Sequence, residues 1–81
     1  MEFTDKELEE LLTINEQAKV LIPKLTYNEK LAKEIIDSMK NKKELNKESI
    51  KNAYNNYLAL AFLGLNYSNT EIFRKIETYL D

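Results

Sequence analysis

The sequence predicts an all-α protein, a compact four-helix bundle formed by a single domain over residues 1–81. Three observations lead to this prediction. The chain contains one glycine and one proline, whereas β-sheets need turn-forming residues far more often. Its apolar residues recur at helical spacing, and four helix-capping signals follow one another with short connections between them. Hydrophobic residues make up 43% and charged residues 32% of the chain, which is typical of a folded domain.

The first helix is expected over residues 5–22. Thr4 and Glu7 have the spacing of a capping box, in which each side chain accepts a hydrogen bond from the backbone N–H of the other residue. Pro23 ends the helix, because the α conformation is disfavoured for the residue before a proline. The apolar positions on one face of this helix are Leu8, Leu11, Leu12, Ala18, Leu21 and Ile22.

Three positions of the first helix depart from that apolar face. Asn15 lies among its apolar residues and is expected either to be buried and hydrogen-bonded, which would fix the helix register, or to mark an edge. Ile14 and Val20 lie off the face and need cover of their own. A homodimer across the first helix would supply that cover, since exposed apolar surface often marks an association site.

The remaining helices are expected over residues 27–40, 47–63 and 69–80. Thr26, Asn46 and Ser68 are the predicted N-terminal caps, because their side-chain oxygens can accept hydrogen bonds from the free N–H groups of the first turn. Gly64 is the predicted end of the third helix, because glycine adopts the left-handed conformation that ends helices. These signals agree with the apolar spacing, which is typical of a sequence that folds to one structure.

The stretch Tyr57–Leu65 is apolar at every position except Gly64. A helix that is hydrophobic all round must be enclosed on all sides. We therefore expect this stretch to be the buried end of a central helix, covered by the other helices or by a second copy of the chain. It is about half as long as a membrane-spanning helix, and the acidic start of the chain is unlike a signal peptide. A cytoplasmic protein without a membrane span is expected.

The residue types argue against catalysis. The chain has no histidine and no cysteine, which removes the usual general base and the thiol nucleophile. Only one arginine, Arg74, is available to clamp a phosphate. The carboxylates lie mostly on outward helix faces and have no histidine partner for a di-metal site. We predict no catalytic residue, no cofactor and no metal site.

A polar face on the third helix is the first candidate binding site. Asn52, Asn55 and Asn56 are spaced so that they share one outer face, and Tyr54 borders it. Tyr67 lies further along the chain. Tyrosine and asparagine suit adaptable protein contacts, because they combine contact area with hydrogen bonding. The alternative is an ordinary surface beside tyrosines whose rings belong to the core.

A basic corner between the second and third helices is the other candidate. Residues 39–51 carry five lysines and two glutamates, a net charge of +3, although the whole chain has a net charge of −2. Such a corner could contact phosphates. The candidate phosphate contacts are Lys40, Lys42, Lys43, Lys47 and Lys51.

These observations favour a small non-enzymatic helical protein that acts by protein–protein contact, with an unidentified protein partner or as a homodimer. A regulator, an inhibitor or an immunity-type factor of a phage, plasmid or bacterial accessory locus would fit. Small four-helix immunity proteins of bacteriocin systems are similar in size and architecture, which is an analogy of fold alone. The alternative is a nucleic-acid-associated accessory protein that uses the basic corner at residues 40–51.

Overall fold

The computed structural model describes residues 1–64 and 71–81, and within them it contains four α-helices and no strand. These helices are α1 (Asp5–Leu21), α2 (Asn28–Asn41), α3 (Lys47–Phe62) and α4 (Glu71–Leu80). The predicted all-α four-helix bundle is confirmed. The predicted cap Ser68 lies outside the described residues.

Two contacts show that α1 and α2 are antiparallel. Lys42 Nζ at the end of α2 lies 3.4 Å from Asp5 Oδ2 at the start of α1. At the opposite end, Lys19 Nζ lies 3.9 Å from Glu29 Oε1. Both ion pairs are exposed, so each adds at most about 1 kcal/mol to stability.

The third and fourth helices continue the alternation. In the antiparallel pair of α3 and α4, the ring of Tyr57 stacks on that of Phe73 with centroids 4.0 Å apart. The Tyr27 hydroxyl at the start of α2 bonds to Asn56 in the second half of α3, and the end of α2 is joined to the start of α3 by a short connection, so α2 and α3 are antiparallel. Because α1 and α3 are both antiparallel to α2, they are parallel to each other, and the Nδ2 group of Asn56 donates a hydrogen bond to Asn15 Oδ1 at 2.9 Å.

In this bundle α1 and α3 pack directly against each other, with α2 and α4 on either side of them. The core between the helices is formed by Leu8, Leu11, Ile14, Ala18, Leu31, Ile35, Leu45, Ile50, Ala53, Leu60, Ile72, Phe73 and Ile76. Because α1 and α3 meet through their buried faces, their exposed faces point to opposite sides of the molecule.

Two of the predicted helix starts are confirmed. Thr4 and Glu7 form the capping box: Glu7 N donates to Thr4 Oγ1 at 3.1 Å, and Thr4 N donates to Glu7 Oε1 at 2.9 Å. Burial alone would raise the pKa of Glu7, but the hydrogen bond from Thr4 N and the nearby ammonium of Lys75 hold that pKa below its ordinary value. Asn46 caps α3, accepting a 2.8 Å bond from Ser49 N.

The predicted cap at Thr26 is wrong. The N-cap of α2 is Tyr27, whose side chain makes no capping bond. The chain enters α2 through a turn in which Asn28 N donates to the carbonyl of Leu25 at 3.3 Å, and the N-cap falls one residue later than Thr26. At the same end of the bundle, Gly64 follows α3 with a φ of 84°, as predicted for the glycine that ends a helix.

The apolar face of α1 is rotated slightly from the prediction. Ile14, expected to lie off the face, is buried, whereas Leu21, expected on it, is 52% exposed. The reason is that the buried face is centred on Leu11, Asn15 and Ala18, so that Ile14 lies just inside its limit and Leu21 just outside.

Candidate interaction surface

The predicted polar face of α3 is divided between the surface and the interior. Asn55 is exposed and Asn52 is half-buried, but Asn56 is 1% exposed. The prediction that all three lie on an outer face is therefore wrong for Asn56. The apolar residues Ala53 and Leu60 lie three positions before and four positions after Asn56, and this helical spacing places all three on the same buried side.

Asn56 belongs to a polar cluster between three helices. Its Nδ2 group donates to Asn15 Oδ1 at 2.9 Å, and its Oδ1 accepts a 3.0 Å bond from the hydroxyl of Tyr27. Asn15 in turn donates to the backbone carbonyl of Asn28 at 2.9 Å. The expectation that Asn15 is buried and hydrogen-bonded is confirmed. The cluster joins α1, α2 and α3 at one height, which fixes their axial register.

Asn28 also contributes a buried side chain at this cluster. Asn28 is 1% exposed, and neither Nδ2 nor Oδ1 of its side-chain amide has a hydrogen-bond partner among the described residues. An unpaired buried polar group costs about 1–3 kcal/mol. The start of α2 is thus a place where the local structure opposes stability.

The tyrosines of α3 serve the contact with α4. Tyr54 donates its hydroxyl to Glu77 Oε1 at 2.6 Å, a bond that raises the pKa of Tyr54 to about 12. The neighbouring Tyr57 ring stacks on Phe73. These contacts give the tyrosines a structural role, the alternative considered from the sequence. Tyr67, the remaining residue of the predicted protein-binding set, lies outside the described residues.

The basic corner is partly neutralised within the chain. Lys42 Nζ lies 3.4 Å from a carboxylate oxygen of Asp5, and Lys43 Nζ lies 3.5 Å from one of Asp37. The other three candidate phosphate contacts are exposed: Lys40, Lys47 and Lys51. Two of these lie on α3 and one near the end of α2, so the sequence cluster is spread over two helices and their connection.

The C-terminal end of α3 presents a large exposed apolar surface. Phe62 is 93% exposed, Leu63 is 54% exposed and Leu58 is 45% exposed, whereas Leu60 between them is fully buried. The prediction that Tyr57–Leu65 is enclosed on all sides by the other helices is wrong for this chain alone over residues 57–64, and Leu65 lies outside the described residues. A bundle helix is covered only on its inward side, and Phe62 is two positions, or about 200°, from the inward-facing Leu60.

A second apolar surface lies at the C-terminal end of α1. Val20 is 76% exposed, and it lines a shallow, mainly apolar depression together with Glu16, Gln17 and Leu21. The Asn15–Asn56 bond places both helix ends at about the same height, because Leu21 and Phe62 each follow their bonded asparagine by six positions, about 9 Å. The two apolar surfaces therefore lie toward the same end of the bundle, on helices whose exposed faces point in opposite directions.

The described residues were also compared with the requirements of a metal site and of a membrane-spanning helix. Among residues 1–64 and 71–81 there is no group of three or more acidic side chains placed to hold a metal ion. In the same part of the chain, no helix combines the length and apolar character needed to cross a bilayer. Comparison of the chain with protein-family models, curated proteins and solved structures gives no match.

Proposed function

We propose that the chain is a small non-enzymatic helical protein that acts by binding another protein through the exposed C-terminal end of α3. The observation that carries this proposal is the 93% exposure of Phe62, flanked by the half-exposed Leu58 and Leu63. A contiguous exposed apolar surface of this kind marks interaction sites in soluble proteins.

The energetics favour a role for Phe62 as the anchor. Transferring a phenylalanine side chain from water into a protein contact is worth about 1.5–3 kcal/mol. Aromatic residues, phenylalanine among them, are enriched at the cores of protein–protein interfaces. Phe62 also sits at the end of a helix that is buried on its other side, so its backbone is held in place before a partner arrives.

A phosphate-binding role for the basic corner has less support. Lys42 and Lys43 each lie close to a carboxylate of the same chain, and the chain has a net charge of −2. Nucleic-acid association through these two lysines would have to break those contacts against the field of an acidic protein. The biological role that we propose is therefore that of a regulator, an inhibitor or an immunity-type factor.

Affinity capture from the native host with matched variants tests the proposal. Phe62→Ser removes the anchor, and Lys33→Ser is the control, because Lys33 is an exposed residue of α2. We expect wild type and Lys33→Ser to retain the same protein, and Phe62→Ser to lose it while keeping its helical circular dichroism. Retention of that protein by Phe62→Ser would overturn the proposed site. Capture of nucleic acid that is released by salt would support the basic corner instead.

A further inference from the structure

The exposed faces of α1 and α3 carry two rows of residues with the same spacing. The outer row of α1 is Asp5, Glu9, Thr13, Glu16 and Val20, and the outer row of α3 is Lys47, Lys51, Asn55, Leu58 and Phe62. All ten residues are exposed. In both rows the successive residues are four, four, three and four positions apart, so each row forms a nearly straight line along its helix.

The chemistry of the two rows is complementary. The outer row of α1 has three carboxylates and no base, whereas the outer row of α3 has two lysines and no acid. Each row ends in an exposed apolar residue, Val20 on α1 and Phe62 on α3. Counted from the start of each helix, Glu9 has Lys51 as its counterpart. Asp5, the counterpart of Lys47, already lies 3.4 Å from Lys42 Nζ of its own chain.

We propose that the protein that covers the end of α3 is a second copy of this chain, whose outer row of α1 docks on the outer row of α3. This inference rests on the proposed function and names its partner. In the contact, Phe62 packs on the shallow apolar depression beside Val20 of the next copy, and Lys51 pairs with the Glu9 carboxylate of that copy. Opposite charges that meet across an interface set its orientation and exclude wrong partners.

The fold places the two rows in register for this contact. Each residue in the outer row of α3 lies 42 positions after its counterpart in α1, and the hydrogen-bonded pair Asn15 and Asn56 is 41 positions apart. Counterparts therefore lie at nearly the same height in one molecule. Since α1 and α3 are parallel and face opposite sides, a neighbouring copy in the same orientation brings its acidic row against the basic row without a shift along the helix.

The assembly that results is head-to-tail. One face of each copy meets a different face of the next, so the contact does not close as a two-fold dimer and can extend in a line. The contact is small: a strip about 22 Å long and 10 Å wide is roughly 200 Å² per partner, compared with about 800 Å² in a standard stable interface. Glu16 faces the apolar Leu58 in this register and keeps its carboxylate in water. We therefore expect weak, concentration-dependent association.

A mixture of two complementary variants tests the head-to-tail contact. Phe62→Asp disrupts the outer row of α3 and leaves the outer row of α1 intact, whereas Val20→Asp disrupts the outer row of α1 alone. Because both sites are exposed, both variants should keep the fold, and circular dichroism checks this. Sedimentation velocity is measured from about 10 μM to 1 mM, which spans the dissociation constants of weak complexes. We expect the wild type to form species larger than a dimer, each variant alone to stay monomeric, and an equimolar mixture to form a dimer and nothing larger.

Each other outcome contradicts a definite step. A wild type that stays monomeric over this range would overturn self-association but leave the proposed function standing, provided that a different protein is still lost by Phe62→Ser. Assembly that survives Val20→Asp but not Phe62→Asp would show contact between two α3 surfaces, contrary to the head-to-tail arrangement. Assembly unaffected by Phe62→Asp, with capture unaffected by Phe62→Ser, would overturn both proposals.

Discussion

The two buried asparagines Asn28 and Asn56 should respond in opposite directions to the same substitution. Leucine has the same number of side-chain heavy atoms as asparagine in a similar branched shape, and it removes the amide. At Asn28 the amide has no partner among the described residues, so Asn28→Leu relieves an unpaired polar group. At Asn56 the amide bonds to both Asn15 and Tyr27, so Asn56→Leu creates unpaired groups on its neighbours.

The expected changes follow from the cost of a buried polar group without a partner, about 1–3 kcal/mol. Asn28→Leu should raise the free energy of unfolding by about 1 kcal/mol, since steric misfit offsets part of the gain. Asn56→Leu should lower it by about 2–3 kcal/mol, mainly through Asn15, which is fully buried. In a domain of this size a change of 1 kcal/mol shifts Tm by about 4–8 °C.

Urea denaturation followed by circular dichroism measures both changes, and an unchanged slope shows that the two states remain comparable. The double variant Asn15→Leu with Asn56→Leu is the control. Replacing both partners of a hydrogen bond is less costly than replacing one, so the double variant should lose less than the sum of the two single losses. If Asn28→Leu were as destabilising as Asn56→Leu, the Asn28 amide would be satisfied in the folded protein and this reasoning would be refuted.

Three further predictions concern titration and packing. The folded-state pKa of Tyr54 is raised to about 12, so its bond to Glu77 stabilises the fold fully below pH 10, and that contribution is lost as the pH rises toward 12. Tyr54→Phe should flatten the dependence of stability on pH in this range. It should also remove the phenolate absorbance step at 295 nm that occurs at the highest pH. The folded-state pKa of Glu7 is lowered, so the contribution of its carboxylate to stability is present above its unfolded pKa and is lost as the pH falls through the folded value. Glu7→Gln should therefore make the free energy of unfolding less sensitive to acid. If the loss of stability at low pH were unchanged in Glu7→Gln, that would count against the capping box. Leu60→Asp places an unpaired charge where the wild-type residue is fully buried, and it should abolish the helical circular dichroism. Leu63→Asp, at a half-exposed site, should fold and change only association. A folded Leu60→Asp variant would contradict the packing of α3.

The starts of α1 and α3 were predictable because they depend on local chemistry. Thr4 and Asn46 cap their helices with side-chain oxygens within reach of the next three residues, and such bonds need no tertiary information. The predicted cap at Thr26 is wrong because a tertiary contact competes with it. The Tyr27 hydroxyl bonds to Asn56 on another helix, and the chain makes a further turn before α2 begins. Local signals lose where a distant partner sets the path of the backbone.

The candidate site was less predictable, because exposure depends on which side of each helix the fold leaves open. The composition of the stretch around Phe62 indicates burial on all sides, and only the arrangement of the four helices shows that this residue faces outward. For Asn56 the sequence did hold a signal, since Ala53 and Leu60 place it on the buried side by helical spacing.

The buried asparagines and the exposed rows are linked through the register of the helices. The bond between Asn15 and Asn56 can form at only one axial position of α1 relative to α3, whereas leucine packing alone tolerates neighbouring registers. A slip of one helical turn would move the outer rows of α1 and α3 apart by about 5.4 Å. In the proposed contact that slip would carry Phe62 away from the depression beside Val20 and would separate Lys51 from Glu9. The polar cluster thus costs stability at Asn28 and in return holds the two exposed rows at the heights that head-to-tail docking requires.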